Sequence, residues 1–210
     1  LQAARLLKRD PNLCAVIVTN FGCGPDAFVD QYLEYELSDT PHIVLELDDH
    51  QAEAGLVTRL EAFARSLGQY PAERTEKATG MDPGRSFQHL RRLTFYIPHF
   101  SDHAHAYVGA LRASGCDVEL LPPTDEESWR LGLAQAHGRE CHPYILFTGD
   151  LIKATRLPGF VPDRACYYGP SYFGPCLVPQ YMLMQHLTLR RLGLGDVTVM
   201  NIADGSTMDE

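Results

Sequence analysis

Apolar and polar positions follow two different periodicities along most of the chain. Continuous apolar runs rich in β-branched or aromatic residues are typical of strands buried on both faces, and they occur at residues 14–19, 41–47, 93–98, 116–122, 164–170 and 196–202. Between these runs the pattern predicts helices at residues 1–10, 26–37, 52–67, 101–115, from 124 onward with Thr124 as cap, and 178–192. Residues 142–156 fit either a strand or a helix, and we favour a helix. Regular alternation of strand and helix predicts parallel sheets joined by right-handed crossovers.

One segment interrupts this alternation. Residues 71–90 are dominated by Pro, Gly and charged residues, which indicates a linker or a surface excursion. We therefore expect an α/β protein with two lobes of parallel sheet flanked by helices, at residues 1–70 and 91–210, each of the flavodoxin- or Rossmann-like three-layer type. In such folds ligands gather at the carboxyl ends of the strands.

Charge and hydropathy exclude several classes of function. The net charge of −9 argues against nucleic-acid binding, which needs clustered Lys and Arg, and against docking on an anionic membrane surface. No apolar run reaches the roughly 20 residues that span a bilayer, and the first ten residues do not form a signal peptide. We expect a cytoplasmic protein. The chain begins with Leu1 rather than Met, so we also expect a fragment of a longer, multi-module protein.

Three of the six cysteines carry the most informative chemistry. A cytosolic chain of this size has enough core to need no disulfides, which favours metal binding or catalysis. Cys23, Cys141 and Cys176 lie in loops at strand ends or helix starts, where a thiolate is favoured. Three or four thiolates hold an iron–sulfur cluster, although a lone cysteine is more often a small packing residue. Burial in or beside strands is expected for the other three, Cys14, Cys116 and Cys166.

Four motifs in a fixed order give the chain a family resemblance: FGCGPDAF, LELDDHQAEAGLVTRLEAF, ECHPYILFTGDLIKATR and GPSYFGPC followed by QY. Together they resemble the acyl-CoA dehydratase activase-related family. Its relatives are the 2-hydroxyacyl-CoA dehydratases, including 2-hydroxyglutaryl-CoA dehydratase, the benzoyl-CoA reductases and the double-cubane cluster proteins. The resemblance extends from about residue 12 to 202 and implies a dehydratase-subunit-like fold.

The resemblance also implies a cofactor and partners. It implies a cubane-type iron–sulfur cluster (4Fe–4S or related) between the lobes, held by Cys23, Cys141 and Cys176, and one that exposure to air can remove. The implied function is electron transfer in an ATP-dependent lyase or reductase system, with an ATP-binding activase module or a dehydratase partner subunit as partner and an acyl-CoA as substrate. No residue is assigned as catalytic. Leu177 stands where the family commonly has an Arg, which removes a positive charge beside the expected cluster.

Two other functions remain open from the residues themselves. One is a cluster-free scaffold that keeps the fold and organises partners. The other is a zinc-dependent hydrolase that uses His99 and His103, with His105 nearby, or the acid-rich group Asp48–His50. An acidic helix N-terminus explains the second group more simply. The segment contains no P-loop and no GxGxxG motif, so we expect no nucleotide site in it.

Overall fold

A computed structural model describes residues 2–20, 22, 24–47, 53–70, 91–169 and 176–201. The chain divides into two units, Leu1–Met81 and Asp82–Glu210. Strands pair in parallel in both units and alternate with helices, which confirms the predicted α/β class with parallel sheets flanked by helices. The predicted linker at 71–90 lies outside the described residues. None of the helices in the described ranges combines the length and apolar character needed to cross a membrane.

The first unit contains a two-stranded parallel sheet. Its elements are α1 (Gln2–Arg9), β1 (Ala15–Thr19), α2 (Asp26–Glu36), β2 (His42–Glu46) and α3 (Glu53–Ser66), followed by a 3₁₀ turn at Leu67–Gln69. Ala15 lies opposite His42, and Thr19 lies opposite Glu46. The Thr19 hydroxyl donates to the Asp26 carboxylate at 2.6 Å, which ties the end of β1 to the start of α2.

The prediction that β1 is buried on both faces is wrong. Val16 and Val18 are 48% and 60% exposed, and α3, although amphipathic in sequence, buries no side chain. A strand is buried on both faces only where a layer of structure covers each face. Val16 and Val18 point to the same face of this two-stranded sheet, and the described residues leave that face uncovered.

The second unit contains a four-stranded parallel sheet in the order β4-β3-β5-β6. Its elements are β3 (Thr94–His99), α4 (His103–Ala113), β4 (Asp117–Pro123), α5 (Glu126–Leu133), α6 (His142–Ala154), a 3₁₀ turn (Pro162–Arg164), β5 (Ala165–Gly169), α7 (Val178–Arg191) and β6 (Thr198–Asn201). The chain passes from β3 to β4 on one side and then returns to β5 on the other. The topological switch point therefore lies between β3 and β5, where α/β proteins form ligand-binding crevices.

Apolar cores cover both faces of this sheet. One core is built from Leu93, Phe95, Ile97, Ala104, Val108, Val118 and Cys166. The other is built from Tyr96, Leu121, Leu151, Ala154, Ala165, Tyr167, Leu189 and Val197. Neighbouring residues of β3 alternate between the cores because strand side chains point to opposite faces. With α4 on one face and α6 and α7 on the other, the unit has three layers.

Helices α5 and α6 touch through their backbones. A Cβ added to Gly149 would lie 1.7 Å from the carbonyl oxygen of Ser128, and a Cβ added to Gly132 would lie 1.8 Å from the carbonyl oxygen of Ile145. Only glycine fits such a distance. The two positions are reciprocal, since each helix supplies one glycine to the contact.

The start of α5 is capped by Asp125 rather than by Thr124 as predicted. The Asp125 carboxylate accepts from the Ser128 backbone N–H at 2.9 Å, and the Ser128 hydroxyl accepts from the Asp125 N–H at 3.3 Å, which is a capping box. The Thr124 hydroxyl instead donates to the Asp150 carboxyl on α6 at 2.6 Å. The sequence predicts the cap one residue early, because it does not show which of two adjacent cap-forming residues, Thr124 or Asp125, accepts from the N–H groups of the helix.

Candidate functional site

The start of α6 positions Cys141. The residue is the N-cap, with an extended backbone (φ −68°, ψ 148°), and its carbonyl oxygen accepts from the Tyr144 N–H at 3.0 Å. Pro143 fits the first turn because the N–H that proline lacks would have no partner there. The half-buried sulfur therefore lies at a helix N-terminus, where the helix dipole favours negative charge.

A buried carboxylate holds the turn that precedes Cys141. The Glu140 side chain is 0% exposed and accepts from the backbone N–H groups of His137, at 3.0 Å, and Arg139, at 3.1 Å. The His137 imidazole Nδ1 lies 3.3 Å from the same carboxylate. These charge-assisted bonds compensate the burial of the carboxylate and hold the backbone next to Cys141 in place. No sequence motif predicted this role for Glu140.

The Cys141 sulfur is hydrogen-bonded to a tyrosine of α7. The distance from Cys141 Sγ to the Tyr181 hydroxyl oxygen is 2.7 Å. Burial raises the pKa of Tyr181, and the hydrogen bond to Cys141 and any negative charge on Cys141 or Cys176 raise it further. This direction favours the protonated phenol. Either the phenol O–H or the thiol S–H can be the donor of this hydrogen bond. The sequence motif included Tyr181 but gave no indication of its contact with Cys141.

Cys176 precedes α7 and is exposed. A negative charge on Cys176 would raise the pKa of Tyr181, by less than burial or Cys141 does. The structure thus places Cys141 in contact with Tyr181, and places Cys176 two residues before the helix that carries Tyr181. Cys23, the third, lies outside the described residues.

Aromatic rings surround the Tyr181 side chain. The ring centroids of Tyr144 and Phe147 lie 5.4 Å and 6.2 Å from that of Tyr181. A crevice of about 10 Å³ beside Tyr181 also contacts Gly169 and Met200, and a volume of this size admits about one water. Gly169 ends β5 and Met200 is near the end of β6. The site therefore lies at the carboxyl edge of the sheet.

The histidines proposed for a zinc site lie at the end of β3 and in the first turn of α4. The rings of His99 and His105 meet edge to face, with centroids 5.5 Å apart, and His103 Nδ1 lies 3.2 Å from the Ser101 hydroxyl. Within the described ranges, no three His, Cys, Asp or Glu side chains are grouped so that they could hold a metal ion. Asp48, Asp49 and His50 lie outside those ranges.

The remaining cysteines differ in burial. Cys166 is fully buried on β5, and Cys116 is half-buried against the same core, so both have packing roles. Cys14 is exposed, and the expectation that it is buried is wrong. It precedes β1, the strand whose side chains are partly uncovered.

Comparison with protein-family models, with curated proteins and with solved structures gives no significant match to this chain. The family resemblance of the four motifs therefore stays a prediction. The candidate site rests on the geometry of Cys141, Cys176 and Tyr181.

Proposed function

We propose that this chain is an iron–sulfur electron-transfer domain of an ATP-dependent system that activates acyl-CoA dehydratases or reductases. One observation carries the proposal: the Cys141 sulfur lies 2.7 Å from the hydroxyl oxygen of Tyr181, on the helix that begins two residues after Cys176. Both cysteines belong to the set that the sequence resemblance assigns to a cluster. Their position near the carboxyl edge of a parallel sheet supports the proposal, since α/β proteins bind ligands there.

The donor set suits such a cluster. Cysteine thiolates are the ligands of cubane clusters, and Cys141 and Cys176 would hold the iron together with Cys23 as the predicted third ligand. When bound, a cluster supplies one-electron chemistry. Tyr181 would donate a hydrogen bond to a ligand sulfur, and such bonds tune the reduction potential. The rings of Tyr144 and Phe147 reduce the access of water to Tyr181.

Anaerobic reconstitution with iron and sulfide tests the proposal. We expect the wild-type chain to bind iron and acid-labile sulfide and to develop a broad charge-transfer absorbance. Cys23→Ser, Cys141→Ser and Cys176→Ser are each expected to lower the iron bound per chain. Cys116→Ser is the matched control, because its half-buried thiol packs against the core on the α4 face of the sheet, away from α6 and α7. Equal iron uptake by all five proteins would contradict the proposal.

Two other results would identify the alternative functions. A wild-type chain that binds neither iron nor zinc is the result expected of a scaffold. Zinc in elemental analysis, without iron after reconstitution, is the result expected of a zinc hydrolase. Either result would overturn the electron-transfer proposal.

Tyr181→Phe tests the role of the phenol. The change keeps the ring contacts and removes the O–H that bonds Cys141, so we expect a cluster to assemble with a more negative reduction potential. A ligand sulfur without its hydrogen bond stabilises the added electron less well. Protein-film voltammetry measures the shift, with Tyr107→Phe, whose ring packs on Phe100, as the control. Equal potentials in Tyr181→Phe and wild type would exclude this tuning role.

A further inference from the structure

A second cavity, of about 210 Å³, opens at the carboxyl end of the edge strand β4. Leu121 of β4 and Leu157, after α6, form part of its apolar wall. This volume is about 20 times that of the crevice beside Tyr181. The cavity therefore suits a compact small molecule. It contains neither Cys141 nor Cys176, and the inference below is independent of the proposed function.

Two groups on the cavity wall, a carboxyl and an ammonium, are held in place by neighbouring side chains. Asp150 is 2% exposed and accepts from the Thr124 hydroxyl at 2.6 Å. The Lys153 ammonium lies 2.8 Å from the Asp125 carboxylate and donates to the Ser128 hydroxyl at 3.2 Å. Side chains fixed in this way are preorganised for binding, since little freedom is lost when a ligand arrives.

The environment of Asp150 differs from that of a surface carboxyl. Burial raises its pKa, while hydrogen bonds from Ser128 and Thr124 and the charge of Lys153 lower it, and the charge of Asp125 adds a smaller increase. Burial raises the pKa of Tyr167, and the charge of Asp150 raises it further. A carboxyl with a raised pKa in a cavity is a common feature of functional sites.

The cavity carries a second pair of opposite charges near solvent. Glu127 and Arg156 line it, with Arg156 Nη1 3.6 Å from Glu127 Oε1 and both side chains 58% exposed. An exposed ion pair of this kind contributes about 0–1 kcal/mol, so a ligand can replace it at little cost. The lining thus presents two cationic groups and two carboxyl groups around an apolar surface.

We propose that this cavity binds a compact zwitterion of the α-amino-acid class. The ligand carboxylate pairs with Lys153 and Arg156, and the ligand ammonium pairs with Asp150 and Glu127. A ligand with a single charge would bind only one of these two pairs and would forgo the attraction of the other. A ligand with both charges on one carbon satisfies both pairs.

Isothermal titration calorimetry of the full chain with each of the proteinogenic amino acids tests the proposal. For the amino acid that binds most tightly, we expect its two singly charged analogues, one without the ammonium and one without the carboxylate, to bind at least about tenfold more weakly. The absence of binding by every amino acid at millimolar concentration would overturn the proposal. Equal binding of either analogue would overturn the zwitterion class.

Three variants locate the binding to this cavity. Arg156→Gln and Asp150→Asn are each expected to weaken binding at least about tenfold. Arg130→Gln is the matched control, because Arg130 forms a comparable exposed pair with Glu126 on α5, at 3.7 Å, and is not part of the lining. If Asp150→Asn fails to fold, the exposed Arg156→Gln still decides the outcome. Unchanged affinity in Arg156→Gln would overturn the proposal.

Discussion

The two units use similar apolar strands but bury them differently. In the first unit Val16 and Val18 of β1 are about half exposed or more, whereas in the second unit Phe95 and Ile97 of β3 are 4% and 1% exposed. Both runs are apolar and rich in strand-forming residues. The difference arises because β3 has a hydrogen-bonded strand on each side and helices over each face. An apolar run therefore predicts a strand, while its burial depends on the number of surrounding elements.

The units also differ in how their helices are held. In the first unit Lys8 of α1 and Glu36 of α2 form an ion pair at 3.5 Å, with side chains 1% and 4% exposed. In the second unit α5 and α6 meet through Gly132 and Gly149. A buried ion pair depends on both charges being present, and a backbone contact depends on the absence of side chains. Each device can be tested by a single substitution.

Gly149→Ala is expected to have the largest effect. The added Cβ overlaps the Ser128 backbone carbonyl. A backbone carbonyl, unlike a side chain, cannot change rotamer to make room, so we expect a loss of more than about 4 kcal/mol of unfolding free energy. Urea unfolding followed by circular dichroism measures it. Gly109→Ala is the control: this glycine is also helical, a Cβ there meets nothing within 4 Å, and the change is expected to stabilise by up to about 1 kcal/mol. Similar stability of the two variants would contradict the backbone contact.

Lys8→Met tests the first unit. The change leaves the Glu36 carboxylate buried without the Lys8 ammonium, and we expect the unfolding free energy to fall by about 3 kcal/mol. Hydrogen exchange measured by mass spectrometry locates the effect, with faster exchange expected in α1 and α2. The double variant Lys8→Met/Glu36→Leu is expected to recover most of the protection, because it removes both charges. Unchanged exchange in Lys8→Met would show that the pair does not hold these helices.

A matched pair of valines measures the difference in strand burial directly. Val118 of β4 is 5% exposed and Val18 of β1 is 60% exposed. We expect Val118→Ala to lower the unfolding free energy by about 2 kcal/mol through lost burial and a residual cavity. We expect Val18→Ala to lower it by less than about 0.5 kcal/mol. Urea unfolding measures both. Equal losses would mean that the exposed face of β1 is covered in solution.

The smallest expected effects are the opposite pH dependences of two neighbouring carboxyls. Hydrogen bonds from Lys153 and Ser128 lower the pKa of Asp125 to about 2 from 3.8, so its contribution to stability is present above pH 3.8 and is lost as the pH falls toward about 2. Burial raises the pKa of Asp150 above 3.8, so stability falls as the pH rises from 3.8 through the pKa in the fold.

Asparagine variants separate these two contributions. Asp125→Asn keeps a residue able to cap α5. In this variant we expect the unfolding free energy to change less with pH between 3.8 and about 2. Asp150→Asn is expected to flatten the profile above pH 3.8. Unfolding free energies measured in urea across this range test both expectations. A profile identical to wild type in either variant would contradict the corresponding assignment.

The sequence predicted the local structure of the second unit closely because periodicity is a local property. The run at 164–170 became β5 at Ala165–Gly169, and the helix at 178–192 became α7 at Val178–Arg191. The loop positions of Cys141 and Cys176 follow from the same boundaries. Contacts between distant elements did not follow: the hydrogen bond from Tyr181 to Cys141 joins residues 40 positions apart. Such a contact depends on how α6 and α7 pack, which no local pattern encodes.

Helix α6 links the two sites of the second unit. Its 13 residues span about 20 Å at ~1.5 Å each, with Cys141 before its first turn and Asp150 near its last. Because its backbone touches α5 at Gly149, α6 cannot slide along its axis without carrying α5 with it. We therefore expect a displacement of α6 near Cys141 to be accompanied by a displacement of α6 and α5 near Asp150.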